Sequence, residues 1–154
     1  MRLDLWDVLH DVVELYEPVA EENNGHLQLV AKPELYVCGK RELLAQAIIN
    51  LIDNAIKYGR GADGTTRITV EGKKEGTEII VSVSDQGQGI AEADRERVLG
   101  RFVRLDTSRS KAGNGLGLSL VASLANLLDG KFVLSDNKPG LRAELRLPGA
   151  VAEA

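Results

Sequence analysis

Three groups of residues carry chemistry by type and spacing. Asn50 and Asn54 stand four residues apart and Lys57 three further on, so on a helix their side chains lie along one face. Two carboxamide oxygens in such a row can coordinate a hard cation, and the ammonium beyond them can meet phosphate charge. The same asparagines can equally cap or bond locally on a solvated face. The second group is Ser84-Asp85-Gln86-Gly87-Gln88-Gly89-Ile90, directly after an apolar run. Its alternating glycines let the backbone approach a ligand closely, and a carboxylate at a strand end can accept a hydrogen bond from an amine such as that of adenine. An ordinary turn after a strand has the same composition. The third group, Gly113-Asn114-Gly115-Leu116-Gly117-Leu118, opens a helix, where exposed backbone N–H groups form a phosphate cradle. It is neither a Walker loop, which ends in Gly-Lys-Ser/Thr, nor the dinucleotide Gly-x-Gly-x-x-Gly. Arg101, Arg104, Arg109 and Lys111 lie between the second and third groups, available to clamp a terminal phosphate or simply to solvate a loop.

The elements that must hold these groups follow from hydrophobic periodicity. Over 42–57, Leu44, Ile48, Leu51 and Ala55 form a helical stripe broadened by Leu43, Ala47, Ile52 and Ile56, with Gly59 as a stop. Leu43 and Ala47 share a row with Asn50 and Asn54, which puts that row at the edge of the buried stripe. An earlier helix over 5–22 carries Leu5, Val8, Leu9, Val12, Val13 and Tyr16, and Pro18 is expected to disturb its later part. Alternation over 27–31 and the run 35–37 give short strands, with His26 in the turn before them; 67–71 and 78–84 read as a hairpin around a turn at 72–76. The stretch 85–113 is long for a connection inside a compact domain, and 88–113 is expected to be a mobile lid. Helix returns over 116–128, two alternating runs at 131–135 and 141–147 follow, and 149–154 is expected to be a disordered tail. Strands joined directly in pairs imply an α+β architecture, a mixed and mostly antiparallel sheet packed against three helices.

Composition bounds the setting. A chain of 154 residues with 44% hydrophobic content supports one domain with its own core. A net charge of −4 offers no basic field for nucleic acid or anionic lipid, so any phosphate site must be local. A single cysteine, Cys38, cannot close an internal disulfide, which points to a reducing, cytoplasmic setting. The uncharged stretch 112–128 falls short of the roughly 18 apolar residues a membrane span needs.

Taken in order, the motifs resemble the catalytic ATP-binding domain of bacterial sensor histidine kinases. Asn50-Leu51-Ile52-Asp53-Asn54-Ala55-Ile56-Lys57-Tyr58 is similar to their N box, Asp85-Gln86-Gly87-Gln88-Gly89-Ile90 to their first glycine box, Arg101-Phe102-Val103-Arg104 to their phenylalanine box, and Gly113 to Leu118 to their second glycine box. The resemblance runs from about Leu3 to Pro148. It implies a two-layer α/β sandwich, the Bergerat fold shared with the gyrase and Hsp90 ATPases, holding ATP and Mg²⁺ under a lid. By position it makes Asn54 the Mg²⁺ ligand with Asn50 assisting, and Asp85 the group that recognises the adenine amine. Gly87, Gly89 and Ile90 would shape the base pocket, and Lys57 and Tyr58 would line the nucleotide. Arg104 would reach the terminal phosphate, while Gly113, Gly115, Leu116, Gly117 and Leu118 would carry the lid hinge and cradle. Asn50, Asn54 and Arg104 thus become the catalytic set.

The resemblance further implies phosphoryl transfer to a histidine on a separate dimerisation domain of the same protein, with a response regulator downstream. It implies no nucleic-acid partner and no direct membrane contact by this domain, whatever anchors the parent protein. The domain would span 1–148, with 1–22 continuing from the dimerisation domain. In the related ATPases a glutamate that activates water stands where this chain has Asn50, and an amide cannot act as that base. Four positions depart from the family pattern: Lys40 replaces an acid before the core helix, Leu99 and Gly100 replace a phenylalanine and an acid, and Leu141 replaces a threonine that often supports the adenine carboxylate.

Two other functions use the same residues. A serine kinase of the anti-sigma type shares the fold but typically carries glutamate where this chain has Asn50 and histidine near Tyr58. A degenerate nucleotide-binding module that docks a partner would not need Asn54, Asp85 and both glycine boxes intact. Neither His10, followed by Asp11-Val12-Val13-Glu14, nor His26 sits in an acceptor motif.

Overall fold

The computed structural model describes residues 2–87 and 117–150. Its elements in chain order are β1 (Arg2–Asp4), α1 (Leu5–Glu22), β2 (Gly25–Val30), β3 (Tyr36–Cys38), α2 (Arg41–Tyr58), β4 (Thr66–Glu75), β5 (Glu78–Ser84), α3 (Gly117–Leu127), β6 (Lys131–Asp136) and β7 (Leu141–Pro148). The last five strands other than β3 form a sheet in the order β2-β4-β5-β7-β6, in which only β2 and β4 run parallel. The described helices cover one face of that sheet, giving the mixed, mostly antiparallel sheet expected from the pairing of runs and the two-layer sandwich that the resemblance implied.

Period-2 alternation decides which side of each strand is covered. Ile68 and Val70 of β4, Ile79, Val81 and Val83 of β5, and Leu141, Ala143, Leu145 and Leu147 of β7 face the helices and are buried. Leu44, Ala47, Ile48, Leu51, Ile52 and Ala55 of α2 meet them, each at most 2% exposed. Burial on this scale stabilises by about 1.5–3 kcal/mol for each large aliphatic side chain, so α2 is held in one rotational setting about its axis. Its first turn takes nothing from a cap: Lys40 makes no side-chain capping bond, as the exchange of an acid for lysine implies.

Four local expectations are corrected. Helix α1 runs unbroken through Pro18 to Glu22; Pro18 is exposed, so the carbonyl it leaves unpaired one turn back faces water, where the loss is small. The expected turn at 72–76 is strand as far as Glu75, and the hairpin turns through Gly76, at φ +62, and Thr77. Gly72 is in mid-strand because a Cβ there would stand 2.8 Å from Leu9 Cδ1, closing the space α1 needs. His26 is the second residue of β2 rather than part of a turn. Gly149 and Ala150, expected at the start of a disordered tail, are tied down, Gly149 N donating to Thr77 O at 2.8 Å and Ala150 N to Tyr36 O at 2.7 Å; 151–154 lie outside the described residues.

Both ends of the described chain meet β3. β1 pairs with it antiparallel, Leu3 opposite Val37, and Val37 also bridges Gly149. Asp4 secures the entry: Oδ1 accepts from Trp6 N at 3.0 Å, capping α1, and from Leu35 N at 2.9 Å, while Oδ2 accepts from Glu34 N at 2.8 Å. No helix of the described residues is long and apolar enough to cross a membrane.

The uncovered sheet face is an ion-pair lattice. Glu144 accepts from Arg142 at 3.0 Å and from Arg146 at 3.1 Å, and those arginines also reach Glu71 at 3.5 Å and Glu78 at 3.6 Å. Ile80, 2% exposed on the same face, pairs across strands with Lys73 and Arg146, whose aliphatic stems are what can shield it. Burial of Glu144 works against its charge, but the two arginine hydrogen bonds outweigh it and hold its pKa below the ordinary 4.5. A carboxylate whose folded pKa is depressed stabilises the fold above its unfolded pKa and loses that contribution as pH falls through the folded value. Glu144→Gln should therefore lower the melting temperature at pH 7, and the gap to the native chain should close as pH drops below about 4.5. A gap that persists in acid would show that the lattice acts through packing alone.

Candidate functional site

The rotational setting of α2 puts the asparagine row where the sequence placed it, at the rim of the core. Asn50 and Asn54 are both half-buried, one turn apart, flanked on the inward side by Leu51 and Ala55. Asn50 Nδ2 is fully buried and has no hydrogen-bond partner among the described residues. A buried donor left unpaired costs about 1–3 kcal/mol, so the amide is set up for an acceptor that comes from elsewhere. Lys57 is exposed and forms an i,i+4 pair with Asp53 at 3.1 Å. Such a pair contributes little at this exposure, so a phosphate could take Lys57 over readily. Tyr58, half-buried, ends the helix.

Asp85 lies one residue beyond β5 and is 5% exposed. Two backbone groups donate to the same oxygen, Oδ1: Gly87 N at 3.0 Å and Leu141 N at 3.1 Å. Desolvation raises the Asp85 pKa above the ordinary 3.8, and these two hydrogen bonds only partly offset it. Leu141 is the position where the family often has threonine. Here a main-chain N–H holds the carboxylate instead, so the missing hydroxyl does not leave it unsupported.

Close packing joins the end of α2 to this carboxylate. Gly59 has φ −95, which any residue adopts, yet a Cβ there would stand 2.6 Å from Asp85 Cβ. A Cβ on Gly87 would stand 2.6 Å from Tyr58 O. Glycine is needed at both positions for space. On the other side, Asn137 Nδ2 donates to Asp85 O at 2.6 Å, and Gly140, at φ +110, has no room for a Cβ against that same oxygen. The structure thus joins Tyr58 and Gly59 at the end of α2 to Asp85 and Gly87 after β5, with Asn50, Asn54 and Lys57 earlier on the same helix. Gly59, Asn137 and Gly140 escaped sequence reasoning. Gly59 read as a helix stop, and nothing in a Lys-Pro-Gly turn signals a partner 52 residues earlier.

Of the remaining expected site residues, Gly117 is the first residue of α3 and Leu118 buries its side chain in the core at 7% exposure. Gly89, Ile90, Arg104, Gly113, Gly115 and Leu116, and with them the expected lid, lie outside the described residues. His10 is exposed on α1, its ring stacked on Trp6 at 4.9 Å between centroids. A cavity of about 330 Å³ lined by Glu78, Asp129, Lys131 and Arg146 sits at the start of β5, the opposite end from Asp85, and has no part in the site.

The raised pKa of Asp85 carries a stability consequence with a definite sign. A carboxyl group whose folded pKa exceeds its unfolded value favours the unfolded state as it ionises, so the loss grows as pH rises from about 3.8 and is complete above the folded pKa. Asp85→Asn keeps an acceptor at Oδ1 without the charge. Its melting temperature should exceed that of the native chain at pH 7, with the advantage shrinking toward pH 4; the opposite ordering at pH 7 would show that the charge is stabilised by its surroundings.

Comparison with known proteins places this geometry. The profile of the histidine kinase-, DNA gyrase B- and HSP90-like ATPases matches residues 39–151, which include every described site residue. The sensor-like histidine kinase SenX3 of Mycobacterium tuberculosis is 33% identical over 153 residues, covering 97% of this chain and 36% of its own length; the chain spans about a third of the curated relatives it matches first. Among solved structures, the mycobacterial sensor histidine kinase MprB superposes with a TM-score of 0.83 at 25% identity, covering 99% of both chains. Full-length ShkA in complex with AMPPNP superposes with a TM-score of 0.85 at 25% identity, covering 100% of this chain and 32% of that one. A buried carboxylate at the end of β5, glycines without room for a side chain and an amide on α2 that is unpaired among the described residues are therefore features of a chain that belongs to the histidine kinase-, DNA gyrase B- and HSP90-like ATPase family.

Proposed function

We propose that this chain binds Mg-ATP and transfers its terminal phosphoryl group to a histidine on a separate dimerisation domain of the same protein, as part of two-component signalling with a response regulator downstream. The observation that carries the reading is Asp85, a carboxylate buried to 5% exposure and fixed through Oδ1 by two main-chain donors. A carboxyl group this far desolvated is favoured by a further donor that meets it, and the exocyclic amine of adenine is one. The relatives' names support the kinase branch of the family, and the AMPPNP held by ShkA supports a nucleoside triphosphate as ligand.

The residues present fit magnesium and phosphate. Asn54 would supply an amide oxygen to the metal, and the buried, unpaired Nδ2 of Asn50 would donate to a phosphate oxygen. Bound magnesium would neutralise charge building on the transferring group. Lys57 would add a cation at the rim of the same helix face. Gly59 and Gly87 keep the floor of the base pocket at backbone thickness. Arg104 and the second glycine box complete the phosphate end in this reading.

What Asn50 cannot do is as informative. An amide cannot take a proton from water, so hydrolysis gains no general base here. An imidazole is already nucleophilic, and placing it in line at about 3–3.5 Å from phosphorus supplies most of what transfer needs. His10 stacks on Trp6 on α1 and His26 lies on the edge strand β2, so the acceptor is assigned to another domain.

Asp85→Ala should weaken ATP by about 1.5–3 kcal/mol, or roughly 10- to 150-fold, and GTP, which presents a carbonyl in place of the amine, should bind the native chain poorly. Calorimetric titration checks both; equal ATP and GTP affinities would remove Asp85 from the base site. Asn54→Ala should abolish most of the gain in nucleotide affinity that added magnesium gives the native chain, and an undiminished gain would move the metal elsewhere.

The chain alone should bind Mg-ATP, hydrolyse it slowly and fail to label itself. A dimeric acceptor domain supplied as a separate chain should take up label on its histidine, weakly, because the lost tether removes a high effective concentration. Incubation with radiolabelled ATP reads both halves. Rapid acid-labile labelling of the isolated chain, abolished by His10→Ala or His26→Ala, would relocate the acceptor.

A further inference from the structure

The turn between β6 and β7 grips the residue that the nucleotide reading depends on. Register between β5 and β7 ends at Ser84 opposite Arg142, so the peptide at Asp85 lies beyond the named ladder. Three hydrogen bonds hold it there: Asp85 N donates to Leu141 O at 3.0 Å, Leu141 N donates to Asp85 Oδ1 at 3.1 Å, and Asn137 Nδ2 donates to Asp85 O at 2.6 Å. Asn137 N also donates to Gly140 O at 3.0 Å, so one residue closes the turn and fastens it to the strand end. Gly140 lets the turn come this close, since any side chain there would run into Asp85 O.

We infer that Asn137 is a positioning residue for recognition of the purine 6-amino group, holding the Asp85 backbone in the orientation that presents its carboxylate to the base. The inference rests on the reading of Asp85 as the adenine acceptor. The physical ground is leverage. Leu141 N, at the first residue of β7, and Gly87 N, two residues beyond Asp85, fix one carboxylate oxygen, but neither touches the carbonyl of Asp85. Asn137 ties the turn to the main chain of Asp85. A displacement of about 1 Å at a recognition group is enough to lose most of a directional hydrogen bond. Asn137 does this without charge, so it neither neutralises the carboxylate nor competes with the base for it. Its partly exposed position in a turn, away from the core, makes its replacement a test of orientation more than of folding.

The test compares ATP with purine riboside triphosphate, which lacks the 6-amino group, by calorimetry on the 154-residue chain with magnesium present. The native chain should prefer ATP. In Asn137→Ala, and in the near-isosteric Asn137→Asp, which removes the donor and sets an oxygen against Asp85 O, ATP should bind about tenfold more weakly. Purine riboside triphosphate should change by less than about twofold, so the preference collapses, while thermal unfolding of each variant remains cooperative. A merely structural role would weaken both nucleotides alike, and that outcome, or undiminished ATP affinity in both variants, overturns the inference while leaving Asp85 as the acceptor. A native chain that binds the two nucleotides equally well overturns the Asp85 reading, and the role of Asn137 with it.

Discussion

The buried stripe of α2 sets the rotation of that helix, and the site inherits that rotation. Leu44, Ile48, Leu51 and Ala55 cannot turn away from the sheet without exposing them, a change that would forfeit several kilocalories per mole. Asn50 and Asn54 are therefore held at the rim by the buried residues of the same helix. The same packing brings the helix C-terminus down on the end of β5, where Gly59 and Gly87 let backbone meet backbone. Core and site here are two faces of one helix, so a change that loosens the first will blur the second. The missing cap at Lys40 fits that arrangement, because a helix fixed by its apolar face has little need of its first turn for stability.

The chemistry of the site works against the stability of the fold at two atoms. Burial of Asp85 penalises charge on its carboxyl group, and Asn50 Nδ2 is buried without a partner among the described residues. Neither is required to hold the sandwich together. The open sheet face shows how this chain treats a carboxylate that does serve the fold. Glu144 has an arginine on each side, Arg142 and Arg146, and its pKa is pushed down. Asp85 has main-chain donors and no salt-bridged cation among the described residues, and its pKa is pushed up. The contrast between the two carboxylates is the one expected if Glu144 serves the fold and, under the proposed function, Asp85 serves recognition.

Much of this was legible in the sequence because it rests on short-range patterns. The stripe on α2, the alternation in β4, β5 and β7, and the row of Asn50 and Asn54 all follow from periods of 3.6 and 2. What escaped depends on contacts distant in sequence. Gly72 reads as turn chemistry, yet it is a strand residue made necessary by Leu9 on α1. Gly59 reads as a helix stop, yet Asp85 fixes its identity. Pro18 reads as a breaker, and only its exposure shows why α1 continues through it. Gly149 and Ala150 look like a fraying end, but hydrogen bonds to Thr77 and Tyr36 hold them. Apart from Pro18, local propensity was overruled in each case by a neighbour that periodicity does not place.

The amide at position 50 can be weighed against the carboxylate found in the related ATPases. A carboxylate half-buried beside a triphosphate would bring a like charge to the phosphates and would be opposed by them, yet it could take a proton from water. An amide gives up the base and gains a donor, and Nδ2 of Asn50 is a buried donor with no partner among the described residues. Under the proposed function, replacing base by donor moves this position from activating a nucleophile to holding the group under attack. The nucleophile must then arrive already competent, which an imidazole is and water is not. Under the proposed function, the residue that suppresses hydrolysis is the one that makes transfer to a histidine the favoured fate of the phosphoryl group.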